Sequence, residues 1–191
     1  MLASGNAGKV REFATLLRAR DIELLPQTAF GITPVEETGT TFLENALLKA
    51  RHAAAMARLP ALADDSGLEV DALGGRPGVW SARYAGPGAS DADNVALLLR
   101  ELGGVPPPLR TARYRCVLAW VRHADDPQPL VGVGSWEGRI LDAARGTEGF
   151  GYDPVFQPEG AAVSVAELPP EQKNSFSHRA QALRALLAAL T

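Results

Sequence analysis

The stretch 113–136 constrains the fold more than any other. From Arg113 to Val121 the chain alternates, with Tyr114, Cys116, Leu118 and Trp120 on one side. Residues 124–129 read as a turn and 130–136 as the returning strand. Period-two alternation on the first arm, followed by a turn and a second arm, predicts an antiparallel hairpin. Elsewhere the apolar period is that of a helix. Val10, Phe13, Leu16 and Leu17 share one face of a helix predicted over residues 9–20. Phe42, Ala46, Lys49 and Ala53 follow a second helix, opened by Thr41 and Glu44 at the spacing of a capping box. Ser90 starts a third helix, which runs to residue 102 and stops at Gly103-Gly104. Leu183, Leu186, Leu187 and Leu190 line a last helix over residues 177–190. Further strands are predicted at 1–4, 22–25 and 59–63, the last ending at Asp64-Asp65-Ser66-Gly67. Helices interleaved with strands, plus one hairpin, give an α/β class with a mixed sheet.

A chain of 191 residues is expected to form a single domain, possible in two lobes. The net charge of −3 gives no general attraction for nucleic acid, so no nucleic-acid partner is expected. One cysteine, Cys116, excludes an internal disulfide and a cysteine-built zinc site, and it fits a reducing compartment. No apolar run approaches the roughly 20 residues of a membrane span, and residues 1–20 lack a targeting pattern. The expectation is a soluble cytoplasmic protein with no membrane partner. Only three of the 19 basic residues are lysine, namely Lys9, Lys49 and Lys173. Where arginine dominates so heavily, a lysine either marks a place where a compact point charge suits better than a flat fork or stands there by chance, three being a small number.

Four groups of residues carry chemistry. Ser4, Gly5, Asn6, Ala7, Gly8 and Lys9 lie between a strand and a helix, where backbone N–H groups and the helix dipole favour an anion. The spacing is too short for a Walker A loop, and read alone it is equally a simple turn. Glu36-Glu37 and Asp64-Asp65 are acidic doublets. Adjacent carboxylates repel, and a hard divalent cation such as Mg²⁺ relieves that cost; solvated surface charge is the alternative. Phe150, Gly151, Tyr152 and Asp153 suit a flat heterocycle, with a ring to stack on it and polar groups to read its edge. The same loop also reads as one whose aromatics close the core. Lys173 precedes Ser177-His178-Arg179, where His178 and Arg179 offer two donors to an acceptor such as a carbonyl oxygen.

Together and in this order, the segments SGNAGK, EETGTTFLENALLKA, LADDSGLEVDALGGRPGVWSARY, GTEGFGYDPVF and EQKNSFSHRAQAL resemble the inosine triphosphate pyrophosphatase family over nearly the whole chain. The resemblance implies an elongated mixed β-sheet flanked by helices, with two lobes and a central active-site groove, in one domain spanning 1–191 and as a homodimer. It implies Mg²⁺-dependent hydrolysis of inosine, deoxyinosine or xanthosine triphosphate to the monophosphate and pyrophosphate, which clears deaminated nucleotides from the pool. By motif, Ser4 to Lys9 would hold the triphosphate. Asp65 would be the general base and a metal ligand, with Glu37 the second acidic ligand. Ser66 would contact substrate. Phe150, Gly151, Tyr152, Asp153, Lys173, His178 and Arg179 would form the base pocket, and Asn45 and Lys49 would face the site. Donors on His178 and Arg179, with an acceptor on Asp153 or the backbone, would fit a 6-carbonyl and N1–H and reject adenine, a mismatch worth on the order of 10⁴. The segment before SGNAGK is short, only Met1-Leu2-Ala3, and Trp80 stands where the family usually has Tyr. Two other readings remain: a related pyrophosphatase of the septum-formation-inhibitor-like group with different base specificity, and a nucleotide-binding module that does not hydrolyse.

Overall fold

The computed structural model describes residues 1–18 and 21–190. Its helices are α1 (Ala7–Arg18), α2 (Phe42–Ala57), α3 (Asp91–Glu101), α4 (Pro170–Phe176) and α5 (His178–Ala188). The strands are β1 (Ala61–Val70), β2 (Thr111–Val121), β3 (Leu130–Ile140) and β4 (Phe156–Pro158), hydrogen-bonded in the order β1-β2-β3-β4. The α/β class and the hairpin are as expected. The strand character of residues 1–4 reduces to Leu2, which bridges Leu62 and Pro26 in parallel. It is nonetheless paired on both sides: Leu2 donates to Leu25 O at 2.8 Å and Ala3 to Leu62 O at 2.8 Å. Short as the lead-in is, it supplies the parallel part of a mixed arrangement.

The chain divides into two compact units. The first comprises Met1–Asp65, Cys116–Gly134 and the segment from His178 onward; the second comprises Ser66–Arg115 and Ser135–Ser177. In the first unit the sheet is covered on both faces. Ala46, Ala50, Ala53 and Ala54 of α2 pack with Ala61, Ala63, Val117, Ala119 and Val121. An interface made so largely of alanine lets helix and sheet backbones approach closely. The opposite face carries Leu62, Cys116 and Leu118 against Phe13 and Leu17 of α1 and Ala182, Leu183 and Leu186 of α5. Burial on both faces explains why β2 alternates only in its first half and is continuously buried from Cys116 to Ala119.

The glycines of β3 set the fit of α5. A side chain at Gly134 would overlap the His178 carbonyl and stand 2.6 Å from Ala182 N, and one at Gly132 would stand 2.8 Å from Leu186 N. Only bare backbone lets the helix lie this close.

The second unit has its own core, built from Leu68, Val70, Leu98, Leu102, Tyr114, Ile140, Tyr152, Val155 and Phe156. Tyr114 and Phe156 pack as tilted rings with centroids 4.5 Å apart.

The strand predicted over 22–25 is absent, leaving only the bridge of Pro26 with Leu2, and other elements differ from the sequence reading in three ways. The helix predicted over 9–20 starts earlier, at Ala7, because Asn6 caps it by accepting the Lys9 amide at 3.0 Å; residues 19 and 20 lie outside the described residues. The last helix, predicted over 177–190, is α5, and a separate short helix that was not expected, α4, precedes it, the two divided at Ser177, whose extended backbone breaks the helical run. The strand predicted over 59–63 does not stop at Asp64-Asp65 but continues through both to Val70.

Candidate active site

That continuation decides what the acidic doublet is. In a strand, successive side chains point to opposite faces. Asp65 shares its face with Ala61 and Ala63 and meets α2; Asp64 shares its face with Leu62 and meets α1 and α5. The two carboxylates do not repel across a shared pocket. Each is neutralised by its own lysine.

On the α2 face, the Thr41–Glu44 capping box forms as predicted, with Glu44 N donating to Thr41 Oγ1 at 3.2 Å and Thr41 N to Glu44 Oε2 at 3.1 Å. It fixes the first turn of α2, from which buried Asn45 donates to Asp65 Oδ2 at 3.4 Å and accepts the Gly39 amide at 2.8 Å. One turn later Lys49 Nζ lies 2.6 Å from Asp65 Oδ1 and 2.7 Å from Glu37 Oε1. Glu37 and Asp65, from separate segments, thus converge on one cation, while Glu36 is exposed. Burial pushes the Asp65 carboxyl above its ordinary range, against the pull of Lys49. Burial works to lower the Lys49 ammonium, but Asp65 and Glu37 outweigh it and hold it raised.

On the other face, Asp64 is fully buried and pairs with Lys9 of the Ser4–Lys9 turn, with Arg179 Nε at 3.6 Å and the Cys116 thiol at 3.1 Å. Burial alone would raise its carboxyl; Lys9 and Arg179 overcome that and hold it well below the usual carboxylate range. Arg179 also donates to Glu12 Oε2 at 2.7 Å, which ties α5 to α1. Ser4 is buried and its hydroxyl accepts the Asn6 amide at 3.2 Å, while Gly5, Asn6 and Ala7 are exposed. The first unit therefore brings together Ser4 to Lys9, Glu37, Asn45, Lys49, Asp64, Asp65 and Arg179, and it also holds His178, buried at the start of α5.

The second unit holds Ser66, Phe150 to Asp153 and Lys173. Asp153 is buried and accepts from Lys173 Nζ at 2.7 Å, Tyr114 Oη at 3.1 Å and the Phe150 amide at 2.9 Å. Gly149, at φ +81°, must be glycine, since a Cβ there would overlap the Asp153 carboxylate. Lys173 Nζ lies 4.7 Å from the Phe150 ring centroid, a cation–π contact. Phe150 and Gly151 are half-buried. Tyr152 is not a stacking ring: it lies in the core and its hydroxyl donates to Ser81 O at 2.8 Å. Ser66, half-buried, follows Asp65 on β1.

All three lysines of the chain thus sit against a buried aspartate. Among the described residues no group of three or more His, Cys, Asp or Glu side chains forms a metal cage. A pair of hard carboxylates converging on one positive charge is still the donor set with which proteins hold magnesium, the rest coming from water and phosphate oxygens.

The profile of the Ham1 family matches residues 1–189. The chain belongs to the Ham1 family. It is 59% identical over 190 residues to a dITP/XTP pyrophosphatase of Methylococcus capsulatus, covering 100% of this chain and 94% of the relative. It is 55% identical over 190 residues to the dITP/XTP pyrophosphatase of Salmonella typhimurium, covering 100% and 96%. Among solved structures, a HAM1 protein from Coxiella burnetii superposes with a TM-score of 0.90 at 48% identity, covering 99% of this chain and 96% of that one. A nucleoside-triphosphatase, dITP/XTP pyrophosphatase, from Mycobacterium abscessus does so at 0.78 and 42% identity, covering 100% and 98%.

For this Ham1-family chain, sequence reasoning missed the partners rather than the motifs. Glu12 and Tyr114 carried no signal, because each is one polar residue on an otherwise ordinary amphipathic helix or strand. The division of labour within the doublet had a signal in the period-two alternation, hidden because Asp-Asp-Ser-Gly reads as the end of a strand.

Proposed function

We propose that this chain hydrolyses deaminated purine nucleoside triphosphates (dITP, ITP and XTP) to the monophosphate and pyrophosphate. The observation that carries the proposal is the convergence of Glu37 and Asp65 on one cation beside a turn that presents backbone N–H groups and Lys9. The names of full-length relatives at 55–59% identity support the substrate class.

In this reading Ser4 to Lys9 bind the phosphates through main-chain N–H groups and the Lys9 ammonium, which Asp64 keeps at the turn. Magnesium would be held by Glu37 and Asp65, and when bound it supplies charge neutralisation on the phosphate oxygens. Asp65 accepts a proton from the attacking water. Asn45 and Lys49 fix its two oxygens. Ser66 contacts the substrate. Phe150 stacks on the purine, braced by Lys173. His178 and Arg179 donate to the 6-carbonyl; a guanidinium has five donors, so the tie to Glu12 is compatible with a second acceptor. The Asp153 carboxylate is engaged by three donors, Lys173, Tyr114 and the Phe150 amide, so the acceptor for N1–H is loop backbone. A homodimer acting in the cytoplasm belongs to the same proposal, and sedimentation equilibrium tests the dimer.

The test is pyrophosphate release from dITP, XTP, dATP and dCTP, with Mg²⁺ and with a chelator, by wild type and Asp65→Asn. Wild type should turn over dITP and XTP with Mg²⁺ only. Asp65→Asn should lose at least about 100-fold in kcat, the range expected for a general base, with an unchanged circular dichroism spectrum. Turnover of Asp65→Asn near wild type, or no pyrophosphate from any deaminated purine, would overturn the reading.

A further inference from the structure

The loop Phe150–Asp153 has two residues nearby with left-handed backbone, Gly149 at φ +81° and Gly151 at φ +63°. Glycine there permits the turn but gives the chain many alternatives. One conformation therefore has to be imposed by ties from outside. Ties from outside already described are Lys173 and Tyr114 on Asp153 and the Tyr152 hydroxyl on Ser81. A further one comes from much earlier in the chain. The Gly151 amide donates to Asp91 Oδ2 at 2.6 Å.

Asp91 is the first residue of α3, yet it does not close that helix. The cap is Ser90, whose hydroxyl accepts the Asp93 amide at 3.2 Å, while Asp93 Oδ2 accepts the Ser90 amide at 2.9 Å. With the end of α3 satisfied by Ser90 and Asp93, the Asp91 carboxylate is directed to Gly151. Its support is firm. Buried Asn94, one turn along α3, accepts the Ala85 amide at 2.8 Å and donates to Ala82 O at 3.3 Å. That joins α3 to the 3-10 turn Gly78–Arg83, which holds Ser81. The ties from Ser81 and Asp91 therefore come from one braced segment, 78–94.

We propose that Asp91 is a positioning residue for base selection. Its carboxylate latches the Gly151 amide and so fixes the loop backbone and the Phe150 ring against which the purine is read. The inference rests on the proposed assignment of Phe150–Asp153 to the base. Asp91 touches no substrate. Its loss acts through the order of the loop, and therefore on KM and on selection between purines rather than on kcat.

The experiment compares Asp91→Ala, Asp91→Asn and Asp93→Ala with wild type, using full-length protein, dITP and dATP as substrates, and amide hydrogen exchange at Gly151. Asp91→Ala should raise KM for dITP about tenfold, the scale of one lost charge-assisted hydrogen bond. It should keep kcat within about twofold, narrow the preference for dITP over dATP, and speed exchange at Gly151. Asp91→Asn, which retains an acceptor oxygen, should recover most of the KM. Asp93→Ala removes part of the cap and should lower Tm with kinetics unchanged. If wild type hydrolyses dITP but Asp91→Ala keeps its KM, selectivity and Gly151 protection, the latch is refuted. An equal KM effect from Asp93→Ala would also refute it, by showing a general effect of α3. If wild type fails to hydrolyse dITP, the base assignment itself is at fault, a separate outcome.

Discussion

Replacing Asp64 by asparagine keeps size and shape and removes one charge from the interior of the first unit. The Asp64 side chain is 0% exposed, and the two cations it serves, Lys9 and Arg179, are 16% and 6% exposed. Removing one partner of a buried ion pair usually costs about 3–5 kcal/mol, because the remaining charge stays desolvated. Two features place this site at the low end. Lys9 has some access to water, and Arg179 keeps Glu12 at 2.7 Å. The expected loss is about 3 kcal/mol, which for a chain of this size lowers Tm by roughly 6–12 °C. Calorimetry and urea unfolding of wild type and Asp64→Asn measure both quantities. Turnover of dITP should fall as well, through weaker phosphate binding, since Lys9 loses the carboxylate that holds it. A loss below about 1 kcal/mol, the range of exposed pairs, would refute the argument that this carboxylate neutralises two desolvated cations. The contrast with Asp65→Asn is the sharper check: neighbours in sequence, one should fail mainly in stability and the other in chemistry.

Thr41→Ala removes the hydroxyl that receives the Glu44 amide and should cost about 1 kcal/mol, seen as a Tm lower by about 2–4 °C; an unchanged Tm would show that Thr40 and Gly39 fix the start of α2 without it. Tyr84→Phe probes pH dependence in the second unit. Burial, reinforced by the hydrogen bond to Glu101, pushes the Tyr84 phenol up to about 12, and the same bond holds the Glu101 carboxyl below its ordinary value. A raised folded value means that the stabilisation is complete below the unfolded value of 10 and is lost as pH rises towards 12. The depressed Glu101 adds stabilisation that is present above 4.5 and lost as pH falls below it. Tyr84→Phe should therefore have a lower urea midpoint than wild type near neutrality, with the gap closing between pH 10 and 12 and again on acidification. A gap that stays constant with pH would contradict the bond.

The motifs, the hairpin, the capping box and the helix faces were legible in the residues because each is set by neighbours within a few positions. Thr41 and Glu44 meet whatever the rest of the chain does, and the alternation of residues 113–121 needs only a strand. The three lysines were legible as a rarity, though not the aspartate that each would meet.

What the sequence determined by itself was the inventory of chemical groups and the local geometry that carries them. It left open which groups meet. Continuation of β1 through Asp64 and Asp65, where the local signal favours a strand end, came from packing on both faces of the sheet, and the pleat then sent one carboxylate to Lys9 and the other to Lys49. The bond from Gly151 to Asp91 likewise spans 60 residues. Periodicity is a property of neighbours along the chain, whereas the choice of partner depends on which distant surfaces bury each other, and only the folded structure makes that choice.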